Sequence, residues 1–507
     1  MVKKNIKNKV LEPLFSKPSG IKKQEAKEND NKGLTVKKNE DFSEWYTQIV
    51  QKCELADIRY NVKGFLVFQP WSVLSMEKMY CYLENVLQRK GHKPYWFPTV
   101  IPESNLKKEE GHIEGFTPEV FWITEAGNNK FEERLALRPT SETAFYQMFG
   151  IWIRSYKDLP FKTYQRANVF RYETKATRPF LRSREFHWIE AHCAHASEEN
   201  AMKQVYEDME TTKEVLHDVF GLPFIFFERP AWDKFPGAER TFAADVLNPD
   251  GKVVQQPSTH LLKQAFSKAF NVKFADKDGK DKYVWLTCYG PAVSRIFASV
   301  AIVHGDDKGL RFPWAIAPLQ VAIVPIVDDA KLMKKAEALK KEIEKFASVE
   351  IDKSEKSAGE KFNYWEMKGV PIRIDLGLKD LEAKKVTVFR RDLGKKDLVA
   401  DGSLMNHLKK IADECGDNLT KQADKIFDNR IKDVKNIDEI KKAIEDGKIA
   451  RCGFCSVGMD GAKCAEAVEK DVGASVRGTK LEKEKASGNC AVCGEKANYV
   501  VYVARQY

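Results

Sequence analysis

The sequence contains no apolar run that approaches the length of a membrane-spanning helix, and its amino terminus lacks the apolar core of a secretion signal. A spanning helix needs about 20 consecutive apolar residues, and a signal peptide needs an apolar stretch behind a basic start. We therefore expect no membrane partner and a cytoplasmic location. Hydrophobic residues still make up 43% of the 507-residue chain and aromatic residues 11%. That content is enough for sizeable buried cores in about three domains.

A strong positive charge is also missing outside the amino-terminal segment. Residues 1–40 contain eleven lysines and five acidic residues, so they carry six of the ten net positive charges. Few large apolar residues occur there, and the segment is predicted to be a flexible tail with weak, counterion-driven affinity for nucleic acid. The charge of the remaining chain permits a polyanionic partner and does not require one.

Cysteines are sparse through most of the chain and crowded at its end. Five occur singly and are expected to be buried apolar residues: Cys53, Cys81, Cys193, Cys288 and Cys415. The other five all lie close to the carboxyl terminus, which in a cytosolic chain favours a metal over disulfides. Two CxxC pairs occur there. They predict a closed tetrahedral site, which suits structural Zn²⁺. The four ligands expected from this spacing are Cys452, Cys455, Cys490 and Cys493.

Hydrophobic periodicity divides the rest of the chain. The segment SMEKMYCYLENVLQRKG has apolar residues at helical spacing and predicts a helix that stops at Gly91. A short strand follows, in which Pro98 marks an edge or the end of pairing. Short strands then alternate with long helices to about residue 317. Residues 318–416 alternate strand and helix as an α/β domain does. We predict an α/β multidomain protein that ends in the cysteine-rich region 417–507.

The most informative stretch is VFRYETKATRPFLRSREFHWIEAH, which begins at Val169 and ends at His192. Two strand-length segments alternate with period 2 and predict an antiparallel hairpin. Arg171 and Glu173 would share one face of the first strand. Residues that would share a face of the second are Phe186, Trp188, Glu190 and His192. An arginine, a carboxylate and aromatic planes beneath a basic loop suit a nucleoside triphosphate. The alternative is an ordinary hairpin with solvated arginines.

Other polar residues fall at the ends of predicted elements. Thr140 and Glu142 come just before a helix, and Phe235 lies in a turn that contains glycine. Arg295 lies at the start of an apolar helix. A strand-to-helix junction is expected to contain Gln255, Ser258 and His260.

The order of these segments resembles the three signature motifs of class II aminoacyl-tRNA synthetases: the strand with Pro98, the FRYE hairpin and the segment with Arg295. The segments RPTSET, FLRSREFHW, KFPGAERT and VHGDDKGL, with the ending ARQY, are similar to prolyl-tRNA synthetases of the archaeal and eukaryotic type. The resemblance covers residues 41–507. It implies a catalytic domain at 41–317 with an antiparallel sheet flanked by helices, an anticodon-binding domain at 318–416 and a zinc-type domain at 417–507.

The resemblance also implies an activity and a set of roles. ATP, accompanied by Mg²⁺, would activate L-proline, which would then be transferred to tRNA(Pro). Arg171 and Arg295 would be the catalytic residues. The family's ATP contacts correspond to Arg171, Glu173, Arg182, Phe186, Gln255, Ser258 and Arg295. Its proline contacts correspond to Thr140, Glu142, Arg171, Trp188, His192, Phe235 and His260.

Further expectations follow from the same resemblance. The anticodon contacts would be Phe362, Glu366, Arg373 and Lys395. Cys464 begins a segment that starts with a ligand cysteine in eukaryotic relatives, and it could replace Cys455. The terminal Tyr507 would reach toward the active site. A homodimer would form through the helix and strand around Pro98. The short stretch between Arg171 and Arg295 leaves no place for an editing insertion.

Two other functions compete with this one. A threonyl- or glycyl-tRNA synthetase would share the anticodon domain, but a threonyl enzyme needs zinc ligands at the catalytic site, and an aromatic pocket argues against that. A non-catalytic paralogue that binds RNA would not need Arg171, Glu173 and Arg295 together. For the histidines and the anticodon residues, ordinary structural roles remain the alternative.

Overall fold

The structure is a computed structural model that describes residues 33–108, 119–173 and 176–507. Residues 1–32 of the expected tail lie outside the described residues. Residues 33–40, however, pack on the rest of the chain. The Lys38 ammonium donates to the main-chain oxygen of Gly305 at 2.7 Å, and the Thr35 amide donates to the Gln48 side chain at 2.9 Å. The expected tail boundary at residue 40 is therefore too far along the chain.

Across these ranges the largest sheet has eleven strands. Most neighbours are antiparallel, and the sheet joins strands that lie between Lys93 and Gly290 to strands of the C-terminal region. In spatial order the strands are Ile431–Asp433, Ile449–Phe454, Tyr499–Gln506, Ser475–Lys480, Ile225–Glu228, Arg240–Leu247, Lys252–Lys263, Trp285–Gly290, Glu185–His195, Phe161–Phe170 and Lys93–Pro94. The expected antiparallel sheet is confirmed.

The helices in this part of the chain pack on this sheet or beside it. They are Phe42–Lys52, Pro70–Arg89, Glu103–Leu106, Glu142–Trp152, Glu198–Thr212, Ala265–Ala269 and Val293–His304. The helix predicted before Gly91 is confirmed, and its apolar stripe is buried because those residues recur at helical spacing. In the described ranges no helix is both long and apolar enough to cross a bilayer.

Small sheets complete this part of the chain. Their strands are Ala56–Asp57 with Val67–Phe68, Val100–Pro102 with Phe121–Ala126 and Asn129–Leu137, and Lys273–Ala275 with Asp281–Tyr283. The strand expected around Pro98 is broken, because pairing at the sheet edge ends near Tyr95, whose amide donates to the Tyr164 carbonyl at 2.8 Å. The prediction of a strand-to-helix junction was wrong: Gln255, Ser258 and His260 lie within the strand Lys252–Lys263.

Residues 321–400 are described without a gap and form a separate five-stranded sheet. In spatial order its strands are Val349–Ile351, Val321–Pro325, Ile372–Leu376, Lys385–Arg390 and Lys395–Ala400. Its helices are Ala330–Ile343, Ala358–Met367, Leu378–Glu382 and Leu404–Asp428. The last of these is continuous, so the boundary expected at residue 416 falls inside a helix. Its first half packs on this sheet through Leu404, Leu408 and Ile411.

The C-terminal region adds the helices Ile437–Glu445 and Ala462–Val472 to its four strands. Its strands form one end of the eleven-stranded sheet. Ser475–Lys480 pairs antiparallel with Ile225–Glu228, and Tyr499–Gln506 pairs parallel with the start of Lys252–Lys263. Backbone hydrogen bonds therefore join this region directly to strands that lie between Lys93 and Gly290.

A buried carboxyl between helix and sheet gives a test of the packing. Asp208, on the helix Glu198–Thr212, accepts from Thr259 Oγ1 at 2.7 Å and from Gln204 Nε2 at 2.8 Å. Burial raises the pKa of Asp208 to about 7, although these two hydrogen bonds oppose the shift. The unfolded chain has a pKa of about 3.9 at this residue.

Between about pH 4 and pH 7 the folded chain therefore holds a proton that the unfolded chain has lost, and raising the pH lowers the free energy of unfolding. The effect is about 1.4 kcal/mol for each unit between the two pKa values. Asp208→Asn removes this titration. We therefore expect the thermal midpoint of the variant, relative to that of the wild type, to rise from pH 5 to pH 8. Parallel midpoints for the two proteins would contradict the assignment.

Candidate active site

A cavity of about 290 Å³ lies on one face of the eleven-stranded sheet. Its walls come from the hairpin strand Glu185–His195, the strand Lys252–Lys263 and the start of the helix Val293–His304. The structure brings together here most of the residues predicted for ATP and proline. Those that line the cavity are Thr140, Glu142, Arg171, Phe186, Trp188, His192, Phe235, Gln255, Ser258, His260 and Arg295.

The register of the hairpin explains the aromatic wall. Glu185–His195 pairs with Phe161–Phe170 along its length and with Trp285–Gly290 on its other side. Alternation then places Phe186 and Trp188 on the cavity face, with ring centroids 5.7 Å apart and edge-to-face. Gly290 makes room for the indole, because a Cβ there would lie 3.2 Å from the Trp188 ring.

Two arginines supply the positive charge of the cavity. Arg171 follows the end of the strand Phe161–Phe170 directly, and its Nε donates to the Pro139 carbonyl at 3.1 Å. Arg295 is the third residue of its helix, and its Nη1 donates to the Gln255 carbonyl at 3.1 Å. Burial, and then the charges of Arg171 and Arg182, lower the pKa of Arg295 to about 10. Both groups are still cationic at neutral pH, and an anion between them would relieve their repulsion.

Glu173 and Arg182 lie outside this cavity. The Arg182 Nε is 3.5 Å from a Glu173 carboxylate oxygen, and its guanidinium also donates to the main-chain oxygen of the terminal residue, Tyr507. Tyr507 is held in turn by the Val253 carbonyl, which accepts from its amide at 3.2 Å. The C-terminus therefore contacts the loop of the hairpin, and Arg182 enters a neighbouring cavity of about 480 Å³ with Arg178 and Tyr46.

The opposite end of the main cavity is acidic and aromatic. Thr140 donates to the Glu142 carboxylate, and both side chains are buried. His192 Nδ1 lies 3.0 Å from the Tyr146 hydroxyl. The His260 ring is tilted against that of Phe235, with ring centroids 4.5 Å apart, and its two nitrogens lie 3.0 Å from the hydroxyls of Thr241 and Ser258.

Burial sets the protonation of His260. It lowers the pKa of His260 to about 4, even though the nearby Glu142 acts in the other direction. The ring is therefore neutral at physiological pH, and it can wall an apolar ligand without adding charge.

Sequence reasoning placed Glu190 on the face of the hairpin strand without giving it a role, and it missed Arg229; both charged residues line the cavity. Glu190 accepts from Gln165 Nε2 at 2.6 Å and from the Ser141 amide at 3.2 Å. Its strand parity with Trp188 and His192 was the available signal. Arg229, in the segment FFERP, carried no local signal, because its contacts depend on how the strands pair.

The predicted anticodon residues divide into two groups. Arg373 lies over the rings of Phe362 at 4.2 Å and Phe389 at 4.6 Å. Lys396 is 5.0 Å from the Phe362 ring and is directly opposite Phe389 in the sheet. Because neighbouring strand residues face opposite sides, Lys395 is not part of this cluster. Glu366 pairs instead with Lys308 at 3.0 Å.

Four cysteine thiols gather at the end of the chain: Cys455, Cys464, Cys490 and Cys493. Their sulfurs all lie within 4.8 Å of one another, and those of Cys455 and Cys464 are 3.7 Å apart. A tetrahedral site with Zn–S bonds of about 2.3 Å spaces its sulfurs about 3.8 Å apart, so these residues fit zinc.

The expected ligand Cys452 is not in this group. Cys464 does not replace Cys455, because both belong to the group. Cys452 lies inside the strand Ile449–Phe454, opposite Val501, and is buried in the hydrophobic core. Cys455 follows the end of that strand and turns to the cluster. The single cysteines are buried as expected, except Cys81, which is exposed.

Comparison with known proteins follows the same division of the chain. The family model for the tRNA synthetase class II core domain (G, H, P, S and T) matches residues 121–304, and the anticodon-binding domain matches residues 320–411. The model for the prolyl-tRNA synthetase C-terminal domain matches residues 437–507. The antiparallel sheet, its arginine-lined cavity and these matches define a class II aminoacyl-tRNA synthetase.

Relatives identify the family within the class. A proline–tRNA ligase of Thermofilum pendens is 49% identical over 94% of this chain and 99% of its own. One of Methanobrevibacter smithii is 42% identical over 92% and 100%. The solved structure of Giardia lamblia prolyl-tRNA synthetase in complex with prolyl-adenylate superposes with a TM-score of 0.90 at 36% identity, covering 94% of this chain and 100% of that one. The chain belongs to the prolyl-tRNA synthetase family, as the sequence motifs predicted.

The cysteine geometry predicts different effects for two neighbouring substitutions. Cys464→Ala should reduce the zinc that copurifies with the protein well below about one ion per chain, because a closed site needs all four thiolates. Cys452→Ala, the matched control, should keep its zinc. Metal analysis by mass spectrometry measures both. Zinc lost from the Cys452 variant and kept in the Cys464 variant would overturn the assignment.

Proposed function

We propose that this chain activates L-proline with ATP to form prolyl-adenylate and transfers the prolyl group to the 3′ end of tRNA(Pro). The observation that carries the proposal is one cavity with two opposite ends. Arg171 and Arg295 make one end cationic, whereas Thr140 and Glu142 make the other an acceptor of hydrogen bonds. A nucleotide that reacts with an amino acid needs both ends in contact.

The nucleotide would occupy the arginine end. Arg171 would hold the α-phosphate and the reacting carboxylate, and Arg295 would hold the triphosphate from the other side, since guanidinium groups bind phosphate through paired hydrogen bonds. Phe186 would stack on adenine. Gln255 and Ser258, on the neighbouring strand, would contact ribose and phosphate. Mg²⁺ would arrive with ATP, held chiefly by phosphate oxygens.

Glu173 and Arg182 would complete the nucleotide contacts from the hairpin loop. Their ion pair lies at the loop, next to the C-terminus. Glu173 would accept from the adenine amino group, and Arg182 would add a third cation near the phosphates. The charge of Arg182 lowers the pKa of Arg295, which supports a position of Arg182 near the same anion.

Proline would occupy the opposite end. Its secondary ammonium has two hydrogens, which Thr140 and Glu142 would accept. Its apolar ring would be enclosed by Trp188, His192, Phe235 and His260, and the neutral state of His260 suits that contact.

No side chain has to act as a nucleophile. A carboxylate oxygen of proline attacks the α-phosphorus of ATP, and the bond to the pyrophosphate oxygen breaks. The terminal ribose hydroxyl of tRNA then attacks the carbonyl carbon, and AMP leaves. The protein contributes alignment and a fixed positive field, which are large terms in such reactions.

The cluster of Phe362, Arg373 and Lys396 would contact the anticodon. The partly exposed Phe362 ring and the exposed Lys396 suit unpaired bases and their phosphates, whereas Arg373 is buried, pairs with Asp375 at 2.7 Å and would support the ring. Glu366 would pair with Lys308 and not contact the anticodon with this cluster. Lys395 lies on the edge strand of the five-stranded sheet and would not belong to the cluster either.

A homodimer would form at the edge of the catalytic sheet near Pro98. Trp96 is 89% exposed there, and Ile151 and Trp152 are also exposed. A large apolar side chain so exposed is typical of a surface that another protein covers. We also propose a cytoplasmic location, since all ten cysteines, which lie within the described ranges, are free thiols.

The rival functions fit less well. The relatives named above, which cover most of the chain, are proline–tRNA ligases, and this favours a prolyl over a threonyl or glycyl enzyme. Residues 176–304 are described without a gap and consist mainly of strands of the eleven-stranded sheet and helices beside it, which supports the expectation that this stretch holds no editing insertion. A non-catalytic RNA-binding protein would not need two arginines inside a nucleotide-sized cavity.

ATP–pyrophosphate exchange with each amino acid tests the activity. Proline alone should support exchange. Arg171→Ala should lower kcat/KM for ATP by at least about 100-fold, because a donor to the transition-state phosphate is removed. Exchange that does not depend on proline would refute the proposal.

The same assay separates the two ends of the cavity. Glu142→Gln should raise KM for proline by at least about ten-fold, since a charged hydrogen bond to the ammonium is lost, and leave KM for ATP within about two-fold. The exposed Glu125→Gln is the matched control and should change neither value. Equal increases in both KM values would show that Glu142 does not contact the proline nitrogen.

Aminoacylation tests the anticodon cluster. Phe362→Ala should raise KM for tRNA(Pro) by about ten-fold through lost stacking, with proline-dependent pyrophosphate exchange unchanged. Ile426→Ala, at an exposed apolar residue of the helix Leu404–Asp428, provides the comparison. A KM for tRNA equal to that of the wild type would contradict a role for Phe362.

A further inference from the structure

Two arginines and one aspartate form a buried ion cluster where the C-terminal strands join the catalytic sheet. Asp245 is fully buried and accepts from Arg229 at 2.7 and 3.1 Å and from Arg477 at 2.7 and 3.2 Å. Burial alone would raise the pKa of Asp245, but the two guanidiniums hold it at about 2. One carboxylate is therefore shared between two cations, and Asp233 lies 3.9 Å from each arginine.

The backbone brings Arg477 to this position. The strand Ser475–Lys480 has a bulge between Val476 and Gly478, and its following residues pair with Ile225–Glu228. Gly478 has φ +121°, and a Cβ there would clash with the Glu228 carbonyl oxygen. Only glycine permits so close an approach. As a result the Arg477 carbonyl accepts from Arg229 Nη1 at 2.7 Å.

Arg229 carries this contact into the nucleotide end of the cavity. Its Nη2 donates to the Gln255 side-chain oxygen at 3.1 Å, and it lines the cavity itself. The main-chain oxygen of Gln255 accepts from Arg295. A continuous series of hydrogen bonds thus links a residue of the C-terminal region to the ATP side of the site.

From this geometry we propose that Arg477 is a positioning residue for ATP, acting through Asp245 and Arg229 on Gln255. The proposal rests on the proposed function, in which Gln255 contacts the nucleotide. Arg477 donates to both oxygens of Asp245 and so holds the carboxylate in place. Arg229 also donates to both oxygens, and its Nη2 makes a further hydrogen bond to Gln255. Without Arg477 the carboxylate and the Arg229 guanidinium can turn together, and Gln255 loses its orientation.

The chemistry of the linkage is specific to arginine. Two nitrogens of Arg477 contact the two oxygens of Asp245, a geometry that lysine cannot reproduce, although lysine supplies the charge. Arg477→Met keeps the apolar stem of the side chain and removes the charge. The two variants therefore separate the effect of charge from that of paired hydrogen bonds.

Steady-state pyrophosphate exchange provides the readout. Arg477→Met should raise KM for ATP by about ten-fold, the effect of one misplaced hydrogen-bond partner, with KM for proline within about two-fold. Arg477→Lys should recover part of the loss. Arg451→Met is the matched control, since Arg451 is another C-terminal arginine held by two carboxylates, Asp433 and Glu484, and does not line the cavity. Its KM values should equal those of the wild type.

A double mutant tests the route. If Arg477 acts through Gln255, the ATP affinity of Arg477→Met combined with Gln255→Ala should equal that of Gln255→Ala alone. Additive losses, an unchanged KM for ATP, or equal changes for ATP and proline would overturn the proposal. If circular dichroism shows that Arg477→Met is unfolded, the same cycle is read with Arg477→Lys.

Calorimetric titration with a nonhydrolysable ATP analogue separates this proposal from the proposed function. Loss of analogue affinity in the Arg477 variants supports the positioning role even if proline proves not to be the substrate. Retained affinity overturns the role even if the chain is fully active with proline.

Discussion

The site depends on the register of one strand. Glu185–His195 is hydrogen-bonded on both sides, to Phe161–Phe170 and to Trp285–Gly290. Because side chains alternate, a slip of one residue would turn Phe186, Trp188 and His192 away from the cavity together. Pairing on two sides makes such a slip costly. The aromatic wall between the two substrates is therefore a consequence of backbone pairing.

Electrostatics then give that wall a direction. Burial lowers the pKa of Arg171, and the carboxylates around it, including Glu142 and Glu190, oppose the shift. Arg295 has fewer such partners, and its neighbouring arginines add to the effect of burial. Positive charge thus accumulates on the helix side of the cavity and negative charge on the Glu142 side. A ligand pair with phosphates at one end and an ammonium at the other matches this arrangement, whereas either substrate alone leaves one end unmatched.

Sequence reasoning worked where the signal was local and periodic. Strand alternation predicted which residues of Glu185–His195 share a face, and helical spacing predicted the helix that ends before Gly91. The prediction that Arg171 and Glu173 share a face of the first strand was wrong, because that strand ends at Phe170. The order of motifs predicted the family. Alternation also explains why Lys396, rather than Lys395, lies beside Phe362. Predicting it requires the start of the strand and the pairing of Lys396 with Phe389, which come from the structure.

Contacts between distant segments could not be predicted in this way. The spacing of two CxxC pairs suggested equivalent ligands, yet the strand that contains Cys452 continues to Phe454 and keeps that thiol in the core. Cys464 reaches the cluster from a helix, a placement that no local spacing encodes. Arg477 comes to Asp245 and Arg229 from the C-terminal region, far along the chain from both. Such partners are determined by topology, so residue spacing alone does not identify them.

The C-terminal region follows from the same topology. Its last strand, Tyr499–Gln506, pairs with Ile449–Phe454 and with Ser475–Lys480. It also pairs with the start of Lys252–Lys263, the strand that carries Gln255. Arg477 lies on one strand of this sheet, and Cys455 and Tyr507 directly follow the ends of two others. The sheet that carries Gln255 therefore also carries Arg477, which contacts Arg229, and leads directly to Tyr507, which contacts Arg182. The C-terminal region accordingly forms part of the structural support of the catalytic site, beyond any contact that it makes with RNA.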